Sequence, residues 1–412
     1  MTEMMKDSKV EYIGLIPENW SITRYKYHTC SGMGNTITKD MLEDEGIPVY
    51  SATKDDSVFG YLKSPTLKLN KGDMVVGARG TIGFPKLMED VSTCTQTTIW
   101  TKFDSSVDNR YVYYCFLAFQ DDWNPNEGSG VPQLTVDNLN EGRFPQVCLD
   151  EQKLIADFLD EKCAEIDQLF EDIQKQIDIL EEYKKSVITR AVTKGLHPNA
   201  EMKDSGIKWI GNIPKSWEVL RIKNLGSARN GLTYSPNDLT DEENGTLVLR
   251  SSNVQDGKIS LNNNVYVSCR IPNNLMVKKG DILICSRNGS RELIGKNAII
   301  NDIQATYGAF MMVYRNIDSE FLYYVLNSEV FSYYLGTFFT STINQLTGQN
   351  FNNMKIVFCP DKSERQKIVD YLKNKIADID NSIEIKREQL ENLNTYKKSI
   401  IYEYVTGKRR VA

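Results

Sequence analysis

The residues best suited to chemistry in this chain sit in three pairs of short polar segments, and that chemistry is hydrogen bonding rather than bond breaking. The first pair sets Ser51, Thr53 and Lys54 against Arg250 and Asn253. The second sets Arg79 and Thr81 against Arg287, Asn288 and Arg291. The third sets Gln133, Thr135 and Asn138 against Gln345, Thr347, Gln349 and Asn350. Arg, Asn, Gln, Ser and Thr are the side chains that form paired hydrogen bonds with base edges. Glycines beside them, such as Gly80 and Gly289, let a backbone come close. Taken singly, each segment reads better as a solvated turn; the weight comes from finding all three twice. Gly72-Asp73 and Gly280-Asp281 read as turn residues only.

Catalytic constellations are not found. The two histidines, His28 and His197, lie in different segments, which leaves no histidine triad and no HExxH zinc site. No GxxxxGK[ST] loop is present, and the fragment GMGNTI at 32–37 lacks the third glycine of a dinucleotide fingerprint. Eight cysteines are scattered without a CxxC pair, which speaks against a zinc module and for a reducing compartment. The expectation is a non-catalytic protein with no metal and no cofactor of its own. A cytoplasmic location is expected, because no apolar run reaches membrane length and the first residues lack a signal-peptide layout.

Something must hold the paired segments, and a long internal repeat supplies it. Glu151 to Thr193 reads EQKLIADFLDEKCAEIDQLFEDIQKQIDILEEYKKSVITRAVT, and it returns from Glu364 as ERQKIVDYLKNKIADIDNSIEIKREQLENLNTYKKSIIYEYVT. Neither copy contains Gly or Pro before Gly195 and Gly407, and both are rich in helix formers. Leu159, Ile166, Ile173, Ile177, Leu180 and Val187 fall on a 3.5-residue period, as do Leu372, Ile379, Ile383, Leu390, Leu393 and Ile400. That is the seam of a coiled coil. A helix of this length spans ~60 Å, and its apolar stripe needs a partner, most simply the other copy. Lys184 and Lys397 interrupt the stripe at matching places. They read either as stems that pack while the ammonium reaches out or as a device fixing register.

The repeat extends to the whole half-chain. DSKVEYIGLIPENWSITRYK at 7–26 matches DSGIKWIGNIPKSWEVLRIK at 204–223, a segment whose Gly and Pro predict a loop with Trp20 or Trp217 as its anchor. NKGDMVVGARG at 70–80 matches KKGDILICSRNG at 278–289, and VPQLTVDNLN at 131–140 matches INQLTGQNFN at 343–352. Between these islands the residues scarcely agree. Short apolar runs cut by Gly, Asn and Pro predict strands at 47–51, 74–78, 97–101, 247–251, 282–286, 298–300 and 310–314. Helices are predicted at 110–119 and 320–335. The fold class is α+β: two homologous globular mixed α/β domains separated by two long helices packed as an antiparallel coiled coil, with a pseudo-twofold. The domains are 1–150, a first helix at 151–195, a linker and second domain at 196–361, and a second helix and tail at 362–412.

The order of these motifs, given twice, resembles the specificity subunit of type I restriction-modification systems. The resemblance covers almost the whole chain: IG-x-IP-x-x-W opens each half, GD-[IM]-[LV] lies within it, and E-[QR]-x-x-I-x-x-[FY]-L and YKKS[IV]I close it. It implies that each variable domain is a target-recognition domain for half of a split double-stranded DNA site. It implies that the coiled coil sets the spacing and docks two modification (methyltransferase) subunits, which restriction subunits join. S-adenosylmethionine, ATP and magnesium would belong to those partners. Against it stands the formal charge of −6, with acidic residues in excess in the first domain and a near balance in the second. DNA affinity usually rests on a basic excess. That charge suits an alternative, a duplicated adaptor joining two protein partners without touching DNA. A methyltransferase in its own right would need a (D/N)PP(Y/F) motif that the chain lacks.

Overall fold

The computed structural model describes residues 4–55, 57–120, 122, 132–338 and 345–411. Val131, Ile343 and Asn344 of the third paired segment lie outside the described residues. The two repeated segments form continuous helices, Leu149–Lys194 (46 residues) and Lys362–Val405 (44 residues). Each ends at a glycine in the left-handed region, Gly195 and Gly407, both at φ +70°. A Cβ on Gly407 would lie 2.6 Å from Pro17 Cγ and 3.0 Å from Trp20 Cη2; one on Gly195 would lie 3.3 Å from Trp217 Cζ2. The helix stop therefore doubles as a seat for the buried tryptophan of an opening segment.

The chain forms two compact units, residues 1–174 with 387–412, and residues 175–386. These boundaries cut both long helices, so the units differ from the linear domains drawn from sequence. Each unit is a mixed α/β domain completed by part of either helix. In the first unit, Leu159 and Cys163 pack in one core with Ile400, Ile401 and Tyr404, and the same core holds Trp20, Tyr25, Tyr111, Phe116 and Phe144. In the second, Ile188 and Val192 share a core with Ile368 and Leu372, together with Trp217, Tyr314, Phe321 and Phe351.

Within each unit the two helix portions run antiparallel, and one ion pair recurs. Lys397 Nζ meets Asp167 Oδ1 at 2.6 Å in the first unit, and Lys184 Nζ meets Asp380 Oδ1 at 2.6 Å in the second. All four residues are partners in the internal repeat. Each ammonium reaches a carboxylate on the opposite helix, and the lysine side chains are half-buried. The residues of the 3.5-residue period differ in burial. Leu159, Ile166, Ile177, Leu372, Ile379, Ile383 and Ile400 are buried, while Ile173, Leu180, Val187, Leu390 and Leu393 are half-buried.

The sheets repeat as well. In the first unit an antiparallel four-stranded sheet runs in the order Thr29–Met33, Thr98–Phe103, Met74–Gly77, Pro85–Leu87. In the second, the order is Gly226–Asn230, Met311–Asn316, Ile282–Cys285, Asn297–Ile299. A second sheet in each unit contains one parallel pair, Ile47–Tyr50 with Thr93–Cys94 and Thr246–Leu249 with Ala305–Tyr307.

Three expectations need correction. The opening segments are hairpins, not loops: Met5–Asp7 pairs with Leu15–Pro17, and Met202–Asp204 with Asn212–Pro214. Their glycines sit in the turn, where Gly14 and Gly211 take φ +70° and +66°, and their prolines end the strands. The aromatic stretch at 320–335 is two helices, Ser319–Leu326 and Glu329–Phe338. Asn327 breaks it, its side-chain amide donating to Tyr323 O and to Asn297 Oδ1. The strand expected at 310–314 begins at Met311 rather than Phe310. Gly72-Asp73 and Gly280-Asp281 are turns as expected: Asp73 accepts from Asn70 N, and Asp281 from Lys278 N, each at 2.8 Å.

Candidate nucleic-acid interface

The strand ends of the second unit frame a cleft of about 1250 Å³, lined by residues of all three paired segments: Arg250, Ser251 and Ser252, Arg287 and Asn288, and Gln345. Backbone bonds fix the frame. Phe310 O accepts from Ser286 N (2.9 Å) and Arg287 N (3.1 Å), and Ser286 O accepts from Leu346 N (2.8 Å). Arg287 and Gln345 also form a β-bridge. Inside the frame, Asn288 Nδ2 donates to Ser251 Oγ at 3.0 Å. Arg250 Nη2 donates to Asn263 O at 3.2 Å, while its Nε is buried with no protein partner.

The first unit builds the same frame. Thr97 O accepts from Ala78 N (2.8 Å) and Arg79 N (3.1 Å), and Ala78 O accepts from Leu134 N (2.9 Å). Thr97 is thus the counterpart of Phe310, Arg79 of Arg287 and Gln133 of Gln345. The rim chemistry differs. Arg79 Nε donates to Gln133 Oε1 at 3.0 Å, which joins the second and third segments. Lys86, only 4% exposed, donates to Thr53 Oγ1 at 2.7 Å, and Thr53 in turn to Asp55 O at 3.0 Å. Gly77 allows the Thr81 carbonyl to approach closer than any Cβ would permit. Ser51 and Thr81 are half-buried, and Lys54 is exposed.

Several sequence-nominated residues do other work. Asn253 is fully buried; its Oδ1 accepts from Arg250 N and its Nδ2 donates to Ser260 O, so it braces the loop rather than facing a ligand. Thr135 and Thr347 are helix N-caps, accepting from Asn138 N and Asn350 N at 3.1 Å each. Asn138 and Asn350 are therefore half-buried in the first turns of those helices, and Gln349 is exposed beside them. Arg291 lines a separate cleft of about 510 Å³ with Lys185 and Phe331. Sequence reasoning missed Thr36 and Gln96, exposed and bonded at 2.7 Å, and it missed Phe310. The backbone frame would have identified Phe310 and Gln96 as rim positions, but periodicity assigned both neighbourhoods to strand starts.

Three of the buried thiols are poorly placed for nucleophilic work. Burial pushes Cys94 and Cys163 up to about 11 and Cys359 up to about 12. Among the described residues no group of His, Cys, Asp and Glu could hold a metal ion, and no helix is long and apolar enough to cross a membrane.

The chain has relatives among known proteins. The family described as "Type I restriction modification DNA specificity domain" matches at residues 28–179 and again at 214–395. The chain is 28% identical over 421 residues to the type I restriction enzyme MjaVIII specificity subunit of Methanocaldococcus jannaschii, covering 96% of this chain and 94% of that one. It is 24% identical over 323 residues to the EcoBI specificity subunit of Escherichia coli, covering 74% of this chain and 66% of that one. A chain from a structure concerning complex assembly and conformational transition of the type I R-M system shares the fold with a TM-score of 0.70 at 15% identity, covering 96% of this chain and 99% of that one.

Proposed function

The chain belongs to the type I restriction-modification DNA specificity family, and from that membership we propose that its two units each read one half of a bipartite DNA site. DNA target recognition is the activity of the family, and one half-site for each unit is what the resemblance implies. One observation carries it: the same backbone frame occurs twice with different side chains on its rim. A duplicated frame supplies the same approach to a groove, and an altered rim supplies a different sequence. In this reading the paired helices fix the gap between half-sites, which must lie about one helical turn (~34 Å) or more apart.

The same helices offer docking faces for two modification (methyltransferase) subunits, with restriction subunits joining that core. The repeat supports two equivalent surfaces for one kind of partner: Tyr183 and Tyr396 occupy matching positions, and both are exposed. S-adenosylmethionine, ATP and magnesium would be held by those partners, and this chain is the non-catalytic reader. Partner phosphate contacts would also offset the acidic charge of the chain.

The test is methylation-aware sequencing of host DNA with the gene present and deleted. A split adenine-methylation motif that appears with the gene and vanishes without it is the expected result. An unchanged methylome in a host that expresses all three subunits would refute the reading.

A further inference from the structure

The two units share a frame but differ at one rim position in kind, not degree. In the first unit the position is Thr97, half-buried, with its hydroxyl bonded to Thr95 Oγ1 at 2.7 Å. In the second it is Phe310, whose side chain is 57% exposed. The ring is not on a loose tip, because its own carbonyl accepts two backbone bonds. Its neighbour is Arg287, whose guanidinium carbon lies 5.1 Å from the ring centroid. No hydrogen bond or ion pair ties down that guanidinium among the described residues, in contrast to Arg79. Both residues line the same cleft.

An exposed ring costs free energy in water unless a ligand covers it. The major-groove edge of DNA presents one apolar group, the thymine 5-methyl, and the most frequent partner of a free guanidinium there is guanine O6 and N7. Base pairs rise ~3.4 Å per step, so two readers 5.1 Å apart face the same or neighbouring pairs.

We propose that the half-site read by the second unit contains a thymine whose 5-methyl group packs on Phe310, next to a guanine held by Arg287. This rests on the bipartite-site function proposed for the two units. The first unit, with half-buried Thr97 at the equivalent place, offers no exposed ring there.

The test uses the complex of this chain with its methyltransferase subunits, and duplexes carrying the motif found by sequencing. Each thymine of the site is replaced in turn by deoxyuridine, which removes only the methyl group. One position flanked by guanine should weaken binding about fourfold, the worth of a methyl group at ~0.8 kcal/mol. Phe310→Ala should weaken binding to the thymine duplex by a similar factor and no longer distinguish deoxyuridine at that position. It should still distinguish bases normally in the other half-site, which also shows that the variant is folded. If deoxyuridine has no effect anywhere, or Phe310→Ala keeps the discrimination, this inference fails while the bipartite reading stands. The same holds if Phe310→Ala instead abolishes a DNA kink reported by 2-aminopurine, because the ring would then be a wedge between base steps. A complex that binds no bipartite duplex overturns the underlying reading, and this inference with it.

Discussion

At the scale of single residues, Gly407 shows how much one hydrogen can decide. Its φ of +70° excludes most side chains, and the space beside it is filled by Pro17 and Trp20. Gly407→Ala should cost about 1–3 kcal/mol, part from the left-handed backbone and part from the collision. Gly206→Ala, at the same φ with nothing within 4 Å, isolates the backbone share. Thermal unfolding should rank Gly407→Ala clearly below Gly206→Ala; equal melting temperatures would show that the tryptophan seat is slack. Residue roles were the least legible part of the sequence. Asn253, Thr135 and Thr347 have the composition of binding residues, yet their short polar side chains satisfy backbone groups a few residues away. Composition cannot separate the two uses. Phe310 looked like the start of a strand because an apolar residue before Met311 continues the run; it lies instead in the turn closed by Met311 N donating to Gly308 O, with Ala309 beside it.

At the scale of elements, the recurring lysine–aspartate pair is the feature to test. Lys184 with Asp380 and Lys397 with Asp167 join opposite helices at equivalent places, and all four side chains are partly exposed. Such pairs contribute about 0.2–1 kcal/mol each, so their larger effect would be on alignment. Lys184→Asp places two carboxylates face to face and should lower the melting temperature, and the reversed pair Lys184→Asp with Asp380→Lys should recover most of the loss. A double-mutant cycle on thermal unfolding reads the coupling, and a reversed pair no better than the single variant would mean that the alignment is set by the apolar seam alone. Elements were the most legible level. The long helices follow from an uninterrupted 3.5-residue period and their glycine stops, and the central strands follow from short apolar runs. The opening hairpins were not legible, because their Gly and Pro are turn and strand-end residues that composition reads as loop.

At the scale of the whole molecule, the spacing function predicts that helix length is information. Inserting four residues after Ile177 adds ~6 Å to the first helix and rotates its downstream portion by a fraction of a turn. The methylated motif should then acquire a different spacer, or methylation should cease. An unchanged motif would show that the helices are not the ruler. The division into units was not legible from the linear order of motifs, since only packing shows that residues 387–412 belong with residues 1–174. That division sets a timetable for biosynthesis. The second unit is a single uninterrupted stretch, residues 175–386, and can close as soon as it leaves the ribosome. The first begins to emerge earlier, but Ile400, Ile401, Tyr404 and Val405, which fill its interior, are made last. The half that is translated first is therefore the half that matures last, and a frameshift within the final helix would leave the earliest-made domain without its lid.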